Sequence, residues 1–394
     1  MNQTCEPDAR HARRVLILAL CATVSMVMGI SSIMPMVPML AKTFEVSLPA
    51  ASLVITVFTL PGVVFSVVGG VLADRFGRRA VLAPSLLLFS LAGAGCALAP
   101  DFNTLLVLRF LQGMGAAPLG ALNTTIIADI WTGRNLSKMV GLNMTVLSIS
   151  GAIYPSLGGL LASLDWRCPF LLPLLVLPVA VLAWRTPLAN PAGDGTLREY
   201  LSGMNRTFHN KKILALMGMT LLTFIMLYGP IITCFPVLAD QRFGVGPAAI
   251  GGVMIFSSLG TALMASQLGK LSGAFSTRNL LLTSQVLYVA SLLMMPHIPA
   301  LIWFMLPVLL FGMGQGLNVP NVQAQLLQTV PAGQRAAVMA ANGMLLRLGQ
   351  TLAPVTFSTI MVSWGMDWGF YAGLLLALAL MIMVMVFLRE PKNS

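Results

Sequence analysis

The chain has 394 residues, of which 57% are hydrophobic and 9% charged, and a formal net charge of +11. A soluble globular chain carries roughly 25% charged residues, so this composition excludes a protein whose main solvent is water. Twelve apolar runs follow one another, at 15–40, 49–73, 80–99, 104–127, 139–164, 169–184, 213–239, 248–269, 279–296, 299–325, 337–363 and 369–388. A bilayer core needs about 20 apolar residues per helix, and lipid offers the backbone no outside partner, so such runs must be helices. Strand-length alternation is absent, which sets a barrel aside.

The first run follows Arg10, Arg13 and Arg14 and is about twice the length of a secretion signal's apolar core, with no clear small-residue cleavage site after it. It is expected to be a retained helix. With both termini on the cytoplasmic side of an inner membrane, the inner segments hold 18 of the 23 Lys and Arg residues and the outer loops only Lys42, Arg167 and Arg242. That asymmetry is the positive-inside rule. The basic excess is therefore topology, and no nucleic-acid partner is expected. Cys5, Cys21, Cys96, Cys168 and Cys234 show no C-x-x-C spacing, and His11, His209 and His297 are isolated, so neither a metal nor a cofactor is expected.

Between the second and third runs the chain reads GGVLADRFGRRAVL, residues 69–82. Ordinary inside charge would explain Arg75, Arg78 and Arg79, but not Asp74 or the glycines Gly70 and Gly77. Glycines permit a tight turn and close helix approach, and Asp74 stands where it can pair with an arginine of a neighbouring helix or face a helix N-terminus. The fourth run contains RFLQGMGAA, residues 109–117, and the fifth GLNMTVLSISGAIYPSLGG, residues 141–159, whose small residues and Pro155 suit close packing and a bend. Residues 185–212 form the longest polar stretch, the expected linker between six helices at 1–184 and six at 213–394. Displacing the chain by 199 positions superimposes Phe44 on Phe243, Val46 on Val245, Gly70 on Gly269, Asn143 on Asn342, Pro155 on Pro354, and GMG at 113–115 on GMG at 312–314. An internal duplication follows. Parallel six-helix halves are one architecture of secondary transporters, with the solute site near the midplane where they meet.

The turn resembles the signature loop of the major facilitator superfamily, G-x-x-x-D-R/K-x-G-R-R/K: Gly70, Asp74, Arg75, Gly77, Arg78 and Arg79 fill every fixed position. The resemblance spans the whole chain and implies an all-α membrane protein of twelve helices in two pseudo-symmetric six-helix bundles. It also implies a cytoplasmic latch in which Asp74 pairs with charged groups of nearby helices in one access state, with Asp129 and Arg347 as nominated partners. The second copy, GKLSGAFSTR at 269–278, has Gly273 in place of the acid, so the latch is one-sided. RFLQGMGAA looks like the fourth-helix motif of the drug-antiporter branch, which implies that Arg109 takes part in proton coupling. The fifth run resembles the antiporter motif ending G-P-x-x-G-G: Gly141, Pro155, Gly158 and Gly159 match as hinge or seal, while Ser150 and Tyr154 depart from it.

Ionisable groups inside a membrane are expensive and by default functional. Arg109 lies about five residues into the fourth run, roughly 7 Å by helical rise; Arg347 lies nearer the middle of the eleventh. Arg109 is either a coupling residue or an interhelical clamp. None of the twelve acids falls near the centre of a run. Coupling would then fall to Asp240 at the outer end of the seventh, to Asp129, or to a relay through Arg109, which cannot itself release a proton. A cavity with arginines and no acids favours neutral or anionic solutes over cations. The resemblance places the cavity on the first, fourth, seventh and tenth helices, so Gln112, Asn123, Tyr228, Gln315, Asn318 and Asn321 are candidate solute contacts, with Asn143 and Arg347 behind them. Each is alternatively a helix-to-helix hydrogen bond. No Walker loop supplies ATP. The expectation is a monomeric, non-enzymatic secondary transporter exporting small lipophilic compounds or drugs by proton antiport and alternating access. The alternatives are a facilitator or symporter of a small anionic or neutral metabolite and, outside transport, a polytopic receptor or membrane enzyme.

Overall fold

The computed structural model describes residues 9–188, 210–330 and 335–388, so most of the expected linker at 185–212 lies outside the described residues. Those residues are helical, without strands among them. Eleven helical spans are long and apolar enough to cross a bilayer: Arg10–Thr43, Leu48–Phe76, Arg78–Cys96, Lys138–Leu164, Cys168–Arg185, Lys211–Phe243, Pro247–Ala274, Thr277–His297, Leu301–Thr329, Val338–Trp364 and Trp368–Phe387. The remaining crossing, fourth in chain order, is split into Phe102–Ala116 and Leu119–Ile130. Pro118 causes the split, because it has no N–H to donate and its ring crowds the preceding turn. The Ala117 N–H still reaches the Gly113 carbonyl at 2.9 Å, and the Leu122 N–H reaches Pro118 at 3.0 Å, so the segment crosses as one bent unit. Counted in this way the crossings among the described residues are twelve, in two six-helix bundles.

Prolines also reshape other spans. The first tightens at Met34–Met36 around Pro35, and the sixth at Leu172–Val176 around Pro173. The seventh widens into a π-helical turn, Leu227–Cys234, around Pro230. In that turn the Thr233 hydroxyl donates to the Tyr228 carbonyl at 2.7 Å, as irregular backbone at membrane depth requires. At the start of the fourth span Asp101 accepts from the Thr104 N–H at 2.9 Å and from its hydroxyl at 2.8 Å. These bonds hold the Asp101 carboxyl below the usual carboxylate range. The outward-facing surface is apolar, with Leu91, Val107, Leu160, Leu175, Ile302 and Leu375 exposed. Trp184, Trp303, Trp364 and Trp368 stand exposed near span ends, where aromatic side chains mark a membrane interface.

Packing inside each bundle depends on glycine. A methyl group on Gly113 of the fourth span would collide with the Phe58 carbonyl oxygen of the second, and one on Gly312 of the tenth with the Ser257 carbonyl oxygen of the eighth. A methyl on Gly115 would come within 2.7 Å of the Ser85 carbonyl, and one on Gly314 within 3.1 Å of the Ser284 carbonyl. All of these pairs are related by the 199-residue displacement, so the sequence repeat is a repeat of contacts.

Between the bundles, the second span packs on the eleventh and the fifth on the eighth. Contact is tightest at the end away from the arginine-rich turn. There Lys42 Nζ pairs with Asp240 Oδ1 at 2.7 Å and the Ser156 hydroxyl donates to the Gly251 carbonyl at 2.9 Å. Gly159 lies against the Pro247 carbonyl and Gly251 against that of Pro155. Toward the middle, Thr56 Oγ1 donates to the Thr351 carbonyl at 2.9 Å and Thr351 Oγ1 to Thr59 Oγ1 at 3.0 Å. At the arginine-rich end, a methyl added to Gly70, Gly141, Gly269, Gly273 or Gly343 would meet nothing within 4 Å. Gly70 and Gly141, expected to allow close helix approach, therefore stand open in this conformation, whereas Gly158, packed on the Ser32 carbonyl, and Gly159 are in tight contact.

Substituting Gly113 or Gly312 by valine is expected to destabilise the fold by about 1–3 kcal/mol through overpacking. Gly269→Ala should be neutral or stabilising by up to about 1 kcal/mol. Thermal unfolding in detergent measures both, and equal effects at the two kinds of site would contradict the packing described.

Candidate functional site

The arginine-rich turn is built on one backbone feature. Gly77 has φ 94° and ψ 149°, a conformation that side-chain-bearing residues rarely adopt, and it lets the third span begin at Arg78, directly after the second ends at Phe76. Arg78 folds inward and is buried; its Nη1 pairs with Asp74 Oδ1 and its Nε with Asp129 Oδ2 at 3.1 Å. Arg75 and Arg79 are exposed, Arg75 lying over the Phe76 ring at 5.5 Å. The turn thus ties the second, third and fourth spans of one bundle together. Arg347 does not join it. That residue lies twelve positions into the helix Arg335–Trp364, about 18 Å along its axis, and its guanidinium meets neutral groups instead: Gln350 Oε1 at 3.1 Å and Met26 Sδ at 3.2 Å.

Arg109 is fully buried in the first bundle. Its Nε donates to the Val54 carbonyl at 3.1 Å, and its Nη1 to the Gly29 carbonyl at 2.9 Å and to Gln112 Oε1 at 2.7 Å. Its guanidinium carbon sits 4.2 Å from the Phe58 ring centre. Nη2 has no hydrogen-bond partner, and no carboxylate among the described residues pairs with the side chain. This is the geometry of a clamp across the first, second and fourth spans.

A two-lobed crevice lies between the bundles. One lobe, of about 480 Å³, is lined by Met26, Ser66, Gly120, Met339, Gly343, Arg347 and Gln350; the other, of about 320 Å³, by Met34, Gly151, Pro155, Met254, Ser257, Ser258, Thr261 and Gln315. Val27, Ser31, Leu147, Phe224 and Tyr228 line both, so the lobes form one space within the range of ligand sites. The π-helical turn places Tyr228, Ile231 and Ile232 on its wall. Among the described residues no Asp or Glu lines either lobe.

Of the expected solute contacts, Tyr228 and Gln315 face the crevice, and Gln315 Nε2 is buried without a partner. The others do not line it, because hydrogen bonds within and between helices use them. Asn123 Nδ2 donates to Thr23 Oγ1 at 2.7 Å and Thr23 in turn to Asn143 Oδ1 at 2.6 Å, joining the fourth, first and fifth spans. Asn318 bonds Thr223 at 2.8 Å and accepts from Gln285 at 3.1 Å. Asn321 bonds the Leu317 carbonyl of its own helix at 2.7 Å, and Gln112 is taken by Arg109. Phe224, Gln350 and the Ser257–Ser258–Thr261 group were missed; three small hydroxyls clustered in the middle of the eighth run were the available signal.

Twelve crossings in two repeated bundles around a crevice, with a charged turn after the second crossing, define a membrane transporter architecture. The sequence pattern of the Major Facilitator Superfamily matches residues 19–354 and, in a second match, 214–394, and the chain belongs to that superfamily. It is 25% identical over 358 residues to the bacillibactin exporter of Bacillus subtilis (strain 168), covering 85% of this chain and 87% of that one. It is 25% identical over 361 residues to the multi-drug resistance efflux pump PmrA of Streptococcus pneumoniae, covering 87% and 88%. In structure it resembles the nucleoside transporter NupG, with a TM-score of 0.78 at 11% identity, over 96% of this chain and 99% of that one.

Arg78 serves two carboxylates while Arg75 and Arg79 serve none, so the three arginines should separate on substitution. Arg78→Ala is expected to destabilise by about 3 kcal/mol, the cost of stranding partly buried acids. Arg75→Ala and Arg79→Ala should each stay within about 0.5 kcal/mol. Unfolding temperatures of the three purified variants check this ordering.

Proposed function

We propose that the protein exports small lipophilic compounds across the inner membrane by proton antiport, alternating between inward and outward openings. The observation that carries this reading is the crevice: apolar-walled, contributed by both bundles, shut at one end by Lys42–Asp240 and the Gly159 and Gly251 contacts, and lined toward the other by Met339, Ala340 and Gly343. The positive-inside rule orients the arginine-rich end, and with it both termini, toward the cytoplasm. The conformation described is then inward-facing, and a solute enters from the cytoplasmic side. Residues 1–184 and 213–394 rock as two bodies joined by 185–212, with Gly158, Gly159 and Pro155 forming the outer seal; the Asp74–Arg78–Asp129 cluster braces the first bundle here and supplies the cytoplasmic latch when that side closes. Efflux function in two of the similar proteins supports the direction.

Outward opening must separate Lys42 from Asp240. Lys42 is 69% exposed, so the pair meets the external solution, and Asp240, the carboxylate of that pair, is the coupling residue of the exchange. Arg109 is the clamp that keeps the first bundle rigid while it moves. The lack of carboxylates along both lobes among the described residues favours a second reading, a facilitator or symporter of a neutral or anionic metabolite.

Inverted membrane vesicles distinguish the two. An imposed pH gradient, acidic inside, is expected to drive accumulation of a lipophilic dye severalfold above the level without it, and collapsing the gradient should release the dye. Asp240→Asn should lower the gradient-driven component, and Arg109→Ala should lower all transport. Accumulation indifferent to the gradient would exclude antiport.

A further inference from the structure

The inference below rests on the transport reading and deepens it by naming the solute class. The Arg347 guanidinium carries five N–H donors, yet it meets a neutral amide oxygen and a thioether sulfur. It reaches the larger lobe from mid-span, half-buried, and no Asp or Glu among the described residues pairs with it or lines either lobe. The other lobe presents a second donor without an acceptor, Gln315 Nε2, buried and unpartnered. Tyr228 spans the two. Around these donors the walls are apolar: Val27, Ile30, Leu147 and Phe224.

A charge held at membrane depth without a counter-ion is costly and is relieved by any anion that enters. We infer that the crevice selects amphiphilic organic anions, with an apolar or aromatic body between Val27, Leu147 and Phe224 and a carboxylate or similar oxyanion on Arg347. The planar fork of the guanidinium suits a two-oxygen group, and Gln315 offers a hydrogen bond to an acceptor at the far end of the solute. Cations meet a repelling wall with no acid to hold them.

The test uses the purified full-length protein and one aromatic scaffold in three forms: naphthylpropionate, naphthylpropionamide and naphthylpropylamine. Calorimetric binding in detergent should favour the acid over the amide by about tenfold, the size of one charge-assisted hydrogen-bonded pair, with the amine weakest. Arg347→Gln should abolish the acid-over-amide preference while leaving amide affinity near that of the parent, and Arg347→Lys should retain part of it. Equal or tighter binding of the amine, failure of all three to bind folded protein, or an Arg347→Gln variant that weakens all three alike would each overturn the inference. If neither variant folds, the three affinities of the unaltered protein decide alone. Proteoliposome flux separates this claim from its foundation. Flux of the amine or amide without the acid overturns the anion assignment and leaves transport standing, whereas acid-selective binding without flux supports the assignment and overturns transport.

Discussion

The structure depends on glycine meeting a carbonyl oxygen of the next helix. In lipid, helices gain little from hiding apolar side chains against each other, and close backbone approach supplies the dispersion that holds them. Gly113 on Phe58 and Gly312 on Ser257 supply it at matched places in the two bundles. The same device closes the boundary between bundles at Gly159 and Gly251, but on one side only. Each bundle is thus stitched through its depth, while the boundary is stitched at one end, and a crevice follows from that difference.

Three arginines show how surroundings decide what a charge does. Arg78 is neutralised by two carboxylates and fastens three helices. Arg109 is spread over two backbone carbonyls, an amide and an aromatic face, which hold it without any acid. Arg347 has only an amide oxygen and a sulfur and borders open space. The first two are held fast by the protein, although Arg109 leaves Nη2 without a partner, and the third lies on the crevice wall with donors to spare.

The fold was largely legible. Run length and composition gave the crossings, because lipid leaves the backbone a single solution, and the displacement of 199 gave the duplication, because duplicated contacts keep their small residues. The turn at 69–82 was legible as well, down to the need for glycine at 77. Which arginine the acids choose was not, since that depends on which side chain the turn folds inward. The site was only half legible. Tyr228 and Gln315 face the crevice as expected, but Asn123, Asn143 and Asn318 are spent between helices, and a sequence does not reveal which partner a buried amide finds. Arg347 had two readings, as a partner of the turn and as a residue behind the solute contacts; its depth along the eleventh helix keeps it from the turn and puts it on the crevice wall.

The wide turn at Leu227–Cys234 has a mechanical consequence. A π-helical turn amounts to one residue inserted into an α-helix, so everything beyond it is rotated by about 100° relative to a regular continuation. Tyr228 lies within that turn and Asp240 beyond it on the same span. The azimuth that brings Asp240 to face Lys42 is therefore set by the distortion that carries Tyr228 on the crevice wall, and relaxing the turn would twist wall and lock together, like two teeth cut on one shaft.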